Sequence, residues 1–365
     1  MQKYGFFSNL AIKDYLCSIM AQRNTRNTWF PTLLILLAGV LLFVLNLVVG
    51  SVSVPLKEFW EVMRGGGEDT FRTIILEYRL PQAITALLAG IGLSLSGLLM
   101  QTLFRNPLAD PSILGISSGA GLGVAMVVLL TGHLSGTAVS AMPGWSTIGV
   151  TIAAFAGAFL VLLLILALSS RLKSMVSLIL VGIMIAYIAG SVTDVLKFFS
   201  QKEDVHTFVI WGFGSFSNVG STQLVYLAVT ILLGTVMAFL LSKSLNLLLL
   251  GDRYAENLGL NIRRASLLTI LVSGFLMAVI TAFCGPIAFI GLAVPHLARF
   301  TYHTSNHFVL IPATAVIGMD LALLCNLIAR LPGFDGNLPI NSVTALVGAP
   351  IVIYVIFHRQ KVLSK

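Results

Sequence analysis

The sequence predicts an all-α polytopic membrane protein of about ten spans, on three observations. First, 57% of its 365 residues are hydrophobic and only 10% charged, with a mean hydropathy of +0.96. A water-soluble domain carries about 25% charged residues, and no globular core of this size hides so much apolar surface. Second, apolar runs of bilayer-spanning length follow one another along the chain. Third, both ends of the chain are basic. The composition excludes a cytosolic enzyme and a secreted disulfide scaffold. The formal charge of +8 reflects basic cytoplasmic segments of a membrane protein rather than a nucleic-acid partner.

Residues 1–29 form a mixed, polar N-terminal extension with no signal-peptide pattern. A transmembrane domain covers 30–358, and 359–365 is a short tail. A helix needs about 20 apolar residues to cross the hydrocarbon core. Such runs lie at 30–50, 80–104, 112–130, 146–168, 175–199, 222–242, 309–330 and 339–357. The stretch 265–300 would be about 50 Å long as one helix, too long for a bilayer of about 30 Å. Gly285-Pro286 divides it into two, the second short.

Charge placement agrees with ten. The segment before the first run carries +3 (Lys3, Lys13, Arg23 and Arg26 against Asp14), and Arg359, Lys361 and Lys365 give the tail +3. Both termini are therefore expected in the cytoplasm, which requires an even number of spans. Arg171 and Lys173 fall inside, as do Lys243, Arg253, Arg263 and Arg264; the acidic segment 51–78 falls outside. Prolines interrupt two places, 105–121 (Pro107, Pro111) and 284–299 (Pro286, Pro295). Paired interruptions in two halves of opposite orientation have the character of inverted repeats. Gly90, Gly92, Ser94, Ser96 and Gly97 suit close helix packing.

Signatures of chemistry are sparse. The sequence has no HExxH, GxSxG or phosphate-cradling Gly-rich loop. Cys17, Cys284 and Cys325 lack any paired spacing. His303 and His307 are four apart but have no accompanying ligand, so no metal site is expected. Asp194, near Lys197, and Asp320 are intramembrane ionisable residues, on which an ion-coupled secondary carrier would rest. In 243–264, Gly251 and Gly259 can break helices, and Tyr254, Leu258 and Leu260 form an apolar knob among charges. A docking partner explains that knob; an interfacial amphipathic helix is the other reading.

Four ordered blocks resemble the iron-siderophore and cobalamin permease family, the membrane subunits of larger-type ABC importers. They are RLPQAITALLAGIGLSLSGLLMQTLFRNPLADPSILGISSGAG (79–121), GDRYAENLGLNIRRASLL (251–268), GPIAFIGLAVPHLAR (285–299) and LPINSVTALVGAPIVIY (338–354). The resemblance implies a ten-helix subunit that dimerises around a pathway in a bacterial inner membrane, in contact with lipid and not with nucleic acid. It implies import of a ferric siderophore, haem or a cobalamin-type chelate delivered by a binding protein. This chain would hold no cofactor, with ATP and Mg on a separate ATPase. The coupling surface would comprise Gly251, Asp252, Arg253, Tyr254, Ala255, Glu256, Leu258 and Gly259. Arg79 and Arg330 would dock the binding protein. Ser174, Met175 and Ser177 would line the pathway, with the turn Asn106, Pro107 and Leu108 near the cytoplasmic gate. Gln82 stands where the family pattern RLPR has its second Arg, and Asn326 and Asn337 replace acidic residues of the pattern.

Overall fold

A computed structural model describes residues 29–50, 52, 54–130, 145–169, 171, 172, 174–331 and 338–363. The extension 1–28, Cys17, Lys173 and Asn337 lie outside the described residues. Every regular element among the described residues is helical. They are α1 (Trp29–Val48), α2 (Leu56–Met63), α3 (Asp69–Thr73), a π-helical stretch Ile74–Arg79 and α4 (Leu80–Leu103). A 3-10 turn, Pro111–Leu114, leads to α5 (Ile116–Ala125), which ends in a π-helical stretch, Met126–Leu130. Then come α6 (Trp145–Ser169), α7 (Met175–Phe199), α8 (Lys202–Gly212), α9 (Ser221–Leu240), α10 (Ser242–Leu249) and α11 (Asp252–Asn257). The series ends with α12 (Ile262–Cys284), α13 (Ile290–Tyr302), α14 (His307–Ala329) and α15 (Ile340–Leu363).

Each apolar run read from the sequence falls on a helix. Among the described residues, seven helices qualify by length and apolarity to cross a bilayer, while 116–130 and 340–355 are shorter apolar helices and α13 has 13 residues. The break at 285–289 is real. Gly285 ends α12 at φ +75°, and Phe289 precedes α13 at φ +68°.

Burial sorts the helices. The run 69–103 and α12 are mostly buried, whereas α1, α6, α7 and α9 present broad apolar faces outward. Those faces fit lipid or a neighbouring subunit rather than water. At the centre, α4 packs against α9, α12, α13 and α14, and α5 packs against α6 and α7.

The small residues of α4 make those contacts possible. A Cβ on Gly97 would lie 1.8 Å from Gly291 O, and one on Gly90 would lie 2.2 Å from Gly318 O. The two helix pairs therefore meet backbone to backbone. Hydroxyls supply the polar links: Ser94 Oγ donates to Thr314 O at 3.1 Å, and Ser96 Oγ meets Ser273 Oγ at 2.8 Å. Because α4 and α13 touch here without side chains, Gly97→Val is expected to force them apart. Overpacking of this kind costs about 1–3 kcal/mol or more. A thermal midpoint in detergent equal to that of the parent would refute the contact.

Candidate functional site

The two proline-interrupted segments, far apart in sequence, meet at one end of the bundle. α4 stops at Leu103, and Arg105 turns the chain at φ +47°. Asn106 Oδ1 then accepts from Leu108 N at 3.0 Å, the local bond that makes an Asn-Pro turn. Pro107 O lies 2.8 Å from His296 Nε2 of α13. Gln101 Nε2 donates to Leu292 O at 3.1 Å, and Arg299 Nη1 donates to Gln101 Oε1 at 2.7 Å. The Asn106–Leu108 turn is thus held from the α13 side by side chains of the second broken segment. Asp110 caps the following 3-10 turn by accepting from Ser112 N at 2.8 Å. Burial raises its carboxyl above the ordinary carboxylate value, against the bonds from Ser112.

The 251–259 segment lies at the same end. Gly251 at φ +99° and Gly259 at φ +84° bracket α11, conformations that an L side chain resists. Leu260 N donates to Ala255 O and Gly259 N to Glu256 O, both at 2.9 Å. This paired pattern closes a helix C-terminus. Ala255 is buried and seats the short helix, which leaves Tyr254 56% and Leu258 61% exposed. Asp252, Arg253 and Glu256 surround that apolar pair on the surface. Of the knob expected from the sequence, Tyr254 and Leu258 face outward, whereas Leu260 is half-buried against the core.

Next to it lies a cavity of about 500 Å³. Its lining includes Ser174 and Met175 at the start of α7, Glu256 of α11, and Arg171 and Arg263. Two of the expected pathway residues therefore share one space with a residue of the expected coupling surface. Ser177, a half-buried residue in the first turn of α7, does not line this cavity.

Arg79 and Arg330 sit elsewhere and differ from expectation. Direct docking of a binding protein, as the resemblance implies for them, calls for accessible side chains, yet they are only 2% and 7% exposed. Arg79 donates from Nη1 to Leu47 O at 3.0 Å and Val48 O at 2.7 Å, and from Nη2 to Val52 O. Arg330 Nη1 donates to Asn46 O at 3.4 Å. The physical reason is the end of α1, whose last carbonyls have no intrahelical donor and carry the negative end of the helix dipole. Gly50 leaves the room, since a Cβ there would lie under 3 Å from both guanidinium groups.

Gln82 and Asn326, the departures from the family pattern, touch each other. Gln82 Nε2 donates to Asn326 Oδ1 at 3.1 Å, and Asn326 Nδ2 donates to Asn46 Oδ1 at 2.7 Å. Both are buried, so a neutral amide chain links α4, α14 and α1. The two histidines also separate. His303 ends α13 and His307 begins α14, rather than both sharing one helix face.

Sequence reasoning missed Arg105, Gln101, His296 and Arg299 as a set. All lie inside or beside the quoted blocks, but no spacing rule joins residues about 190 positions apart.

Comparison with known proteins gives four findings. A family model described as the FecCD transport family matches residues 35–358. The vitamin B12 import system permease protein BtuC of Klebsiella pneumoniae subsp. pneumoniae is 35% identical over 341 residues, covering 93% of this chain and 96% of that protein. The hemin transport system permease protein HmuU of Yersinia pestis is 33% identical over 330 residues, covering 90% and 95%. A solved inward-facing structure of an ABC transporter assigned to the metal-chelate type superposes with a TM-score of 0.77 at 30% identity. It covers 91% of this chain and 98% of its own.

Proposed function

Because the chain belongs to the FecCD transport family, we propose that it imports a ferric siderophore, haem or cobalamin-type chelate as the permease subunit of an ATP-driven importer. ATP and Mg bind a separate ATPase subunit, and a binding protein delivers the chelate. Ten crossings of a bacterial inner membrane leave both termini in the cytoplasm. A second copy of the chain completes the pathway.

The observation that carries this reading is the α11 knob, an apolar pair held outward by a rigidly capped helix beside the Asn106–Leu108 turn. In this reading the ATPase grips Tyr254 and Leu258. Nucleotide-driven movement there shifts the equilibrium between outward-open and inward-open bundles. Ser174, Met175 and Ser177 belong to the pathway, which borders the cavity shared with Arg171, Glu256 and Arg263. The binding protein docks at the opposite end. Arg79 and Arg330 shape that face by holding the carbonyls of Asn46, Leu47, Val48 and Val52, not by direct contact.

An ion-coupled carrier is not favoured. Asp194 is bonded by Lys197 Nζ at 3.1 Å, and Asp320 Oδ1 lies against Gly39 without a hydrogen-bond partner. Neither carboxylate is part of a cluster of ion ligands among the described residues.

Native mass spectrometry of the complex, drawn gently from its own membrane through a tag on this chain, tests the proposal. The expected mass contains two permease copies and two ATPase copies. Recovery of this chain without an ATPase, even after mild crosslinking, would overturn it.

A further inference from the structure

Arg105 occupies a backbone position suited to glycine. Its φ of +47° lies just past a helix C-terminus, where a Cβ is disfavoured. The guanidinium accounts for an arginine there. Its Nε donates to Leu248 O at 3.2 Å, and its Nη2 forms an ion pair with Oδ1 of Asp252. Leu248 lies in the last turn of α10, and Asp252 is the first residue of α11. One side chain, adjacent to the Asn106–Leu108 turn, therefore ties that turn to both helices of 242–257.

A second contact braces α10 from the other side. His307 is buried; its Nε2 lies 2.8 Å from Thr102 Oγ1, and its Nδ1 lies 2.8 Å from Asn246 Oδ1. The backbone N–H of His307 donates to that same Oδ1 at 2.8 Å. Asn246 Nδ2 in turn donates to Asn306 Oδ1 at 2.8 Å. The backbone donor fixes the amide orientation, so Nδ1 carries the ring proton, while the single Thr102 hydroxyl proton is shared between Leu98 O at 2.9 Å and His307 Nε2. Buried, mutually satisfied groups of this kind rigidify what they join.

The geometry points to Arg105 as a positioning residue for transport: through Asp252 and Leu248 it passes displacement of the α11 knob directly to the Asn106–Leu108 turn, with Thr102–His307–Asn246 keeping α10 fixed on α4. The inference rests on the reading of α11 as the ATPase-facing helix. Both partners of the ion pair are well exposed, 43% and 61%. Exposed pairs contribute little to fold stability, so stability does not explain a strained arginine.

The test uses the full importer complex in lipid nanodiscs. Leu108→Cys, at a position 41% exposed, serves as reporter in a Cys17→Ser background, since Cys284 and Cys325 are buried. Maleimide labelling is timed with and without ATP plus vanadate. In the reporter parent, nucleotide is expected to change the labelling rate by about fivefold or more, a typical allosteric coupling. Arg105→Ala and Asp252→Asn are each expected to remove most of that change. Their combination is expected to do no more than either alone, as for a shared contact. Arg105→Lys, which retains the charge but not the fork, is expected to recover part of it. ATPase co-purification is expected to be the same in Arg105→Ala and Arg105→Lys as in the parent. A full nucleotide response in Arg105→Ala overturns the inference while leaving the importer reading intact. A parent that carries its ATPase yet shows no response overturns the gate assignment, and a parent that recovers no ATPase overturns both.

Discussion

Tyr254→Asp combined with Leu258→Asp is expected to strip the ATPase from the purified complex and abolish ATP-driven uptake, with the permease itself still folded. Both side chains are mostly exposed on a helix whose buried anchor is Ala255. Polar substitutions at such positions are usually near neutral for stability. At an interface the same positions behave as apolar anchors, and losing a central aromatic anchor costs about 2–4 kcal/mol. Two new carboxylates beside Glu256 add desolvation and like-charge repulsion. A combined loss of about 4 kcal/mol corresponds to roughly a thousandfold in affinity. The check is the ATPase-to-permease ratio after tag purification, together with a titration in detergent. Stoichiometric ATPase in the double variant would show that the knob is not the docking element, and α11 would then be a lipid-surface helix.

Arg79→Met is expected to destabilise the permease by about 2 kcal/mol or more, since a buried carbonyl left without its donor costs about 1–3 kcal/mol and the Leu47 bond is buried while those to Val48 and Val52 are part-buried. Leu47, Val48 and Val52 each lose one, and methionine fills the volume without replacing them. Arg79→Lys retains the positive charge at the end of α1 but presents no planar fork, so an intermediate loss is expected. Thermal unfolding in detergent, read by loss of monodisperse protein, measures both. If Arg79→Met melts with the parent and loses only affinity for the binding protein, direct docking through Arg79 would replace the account given above.

Much of the fold was legible in the sequence because hydropathy acts on each helix independently. The break at Gly285-Pro286 and the two ends of α11 at Gly251 and Gly259 were legible for a related reason, as backbone rules act on single residues. The π-helical stretches 74–79 and 126–130 and the surface helix 202–212 have no comparable signal. The arginines show the limit best. A cation at a helix end normally reaches for the interface, and Arg79 turns inward because the carbonyls of Leu47, Val48 and Val52 need donors. That need belongs to a different helix. The Arg105–Asp252 pair was hidden in the same way: each residue sits in a quoted block, and nothing local to either block indicates the other. The site's elements could be read one at a time, and their joining could not.

The amide chain Gln82–Asn326–Asn46 has an electrical consequence. A unit charge moved through a membrane potential of 100 mV exchanges about 2.3 kcal/mol with the field. Three neutral amides exchange none. The amide link therefore adds no charge of its own to the field, and any response to voltage at this end of α1 rests on Arg79 and Arg330, which bond its last carbonyls.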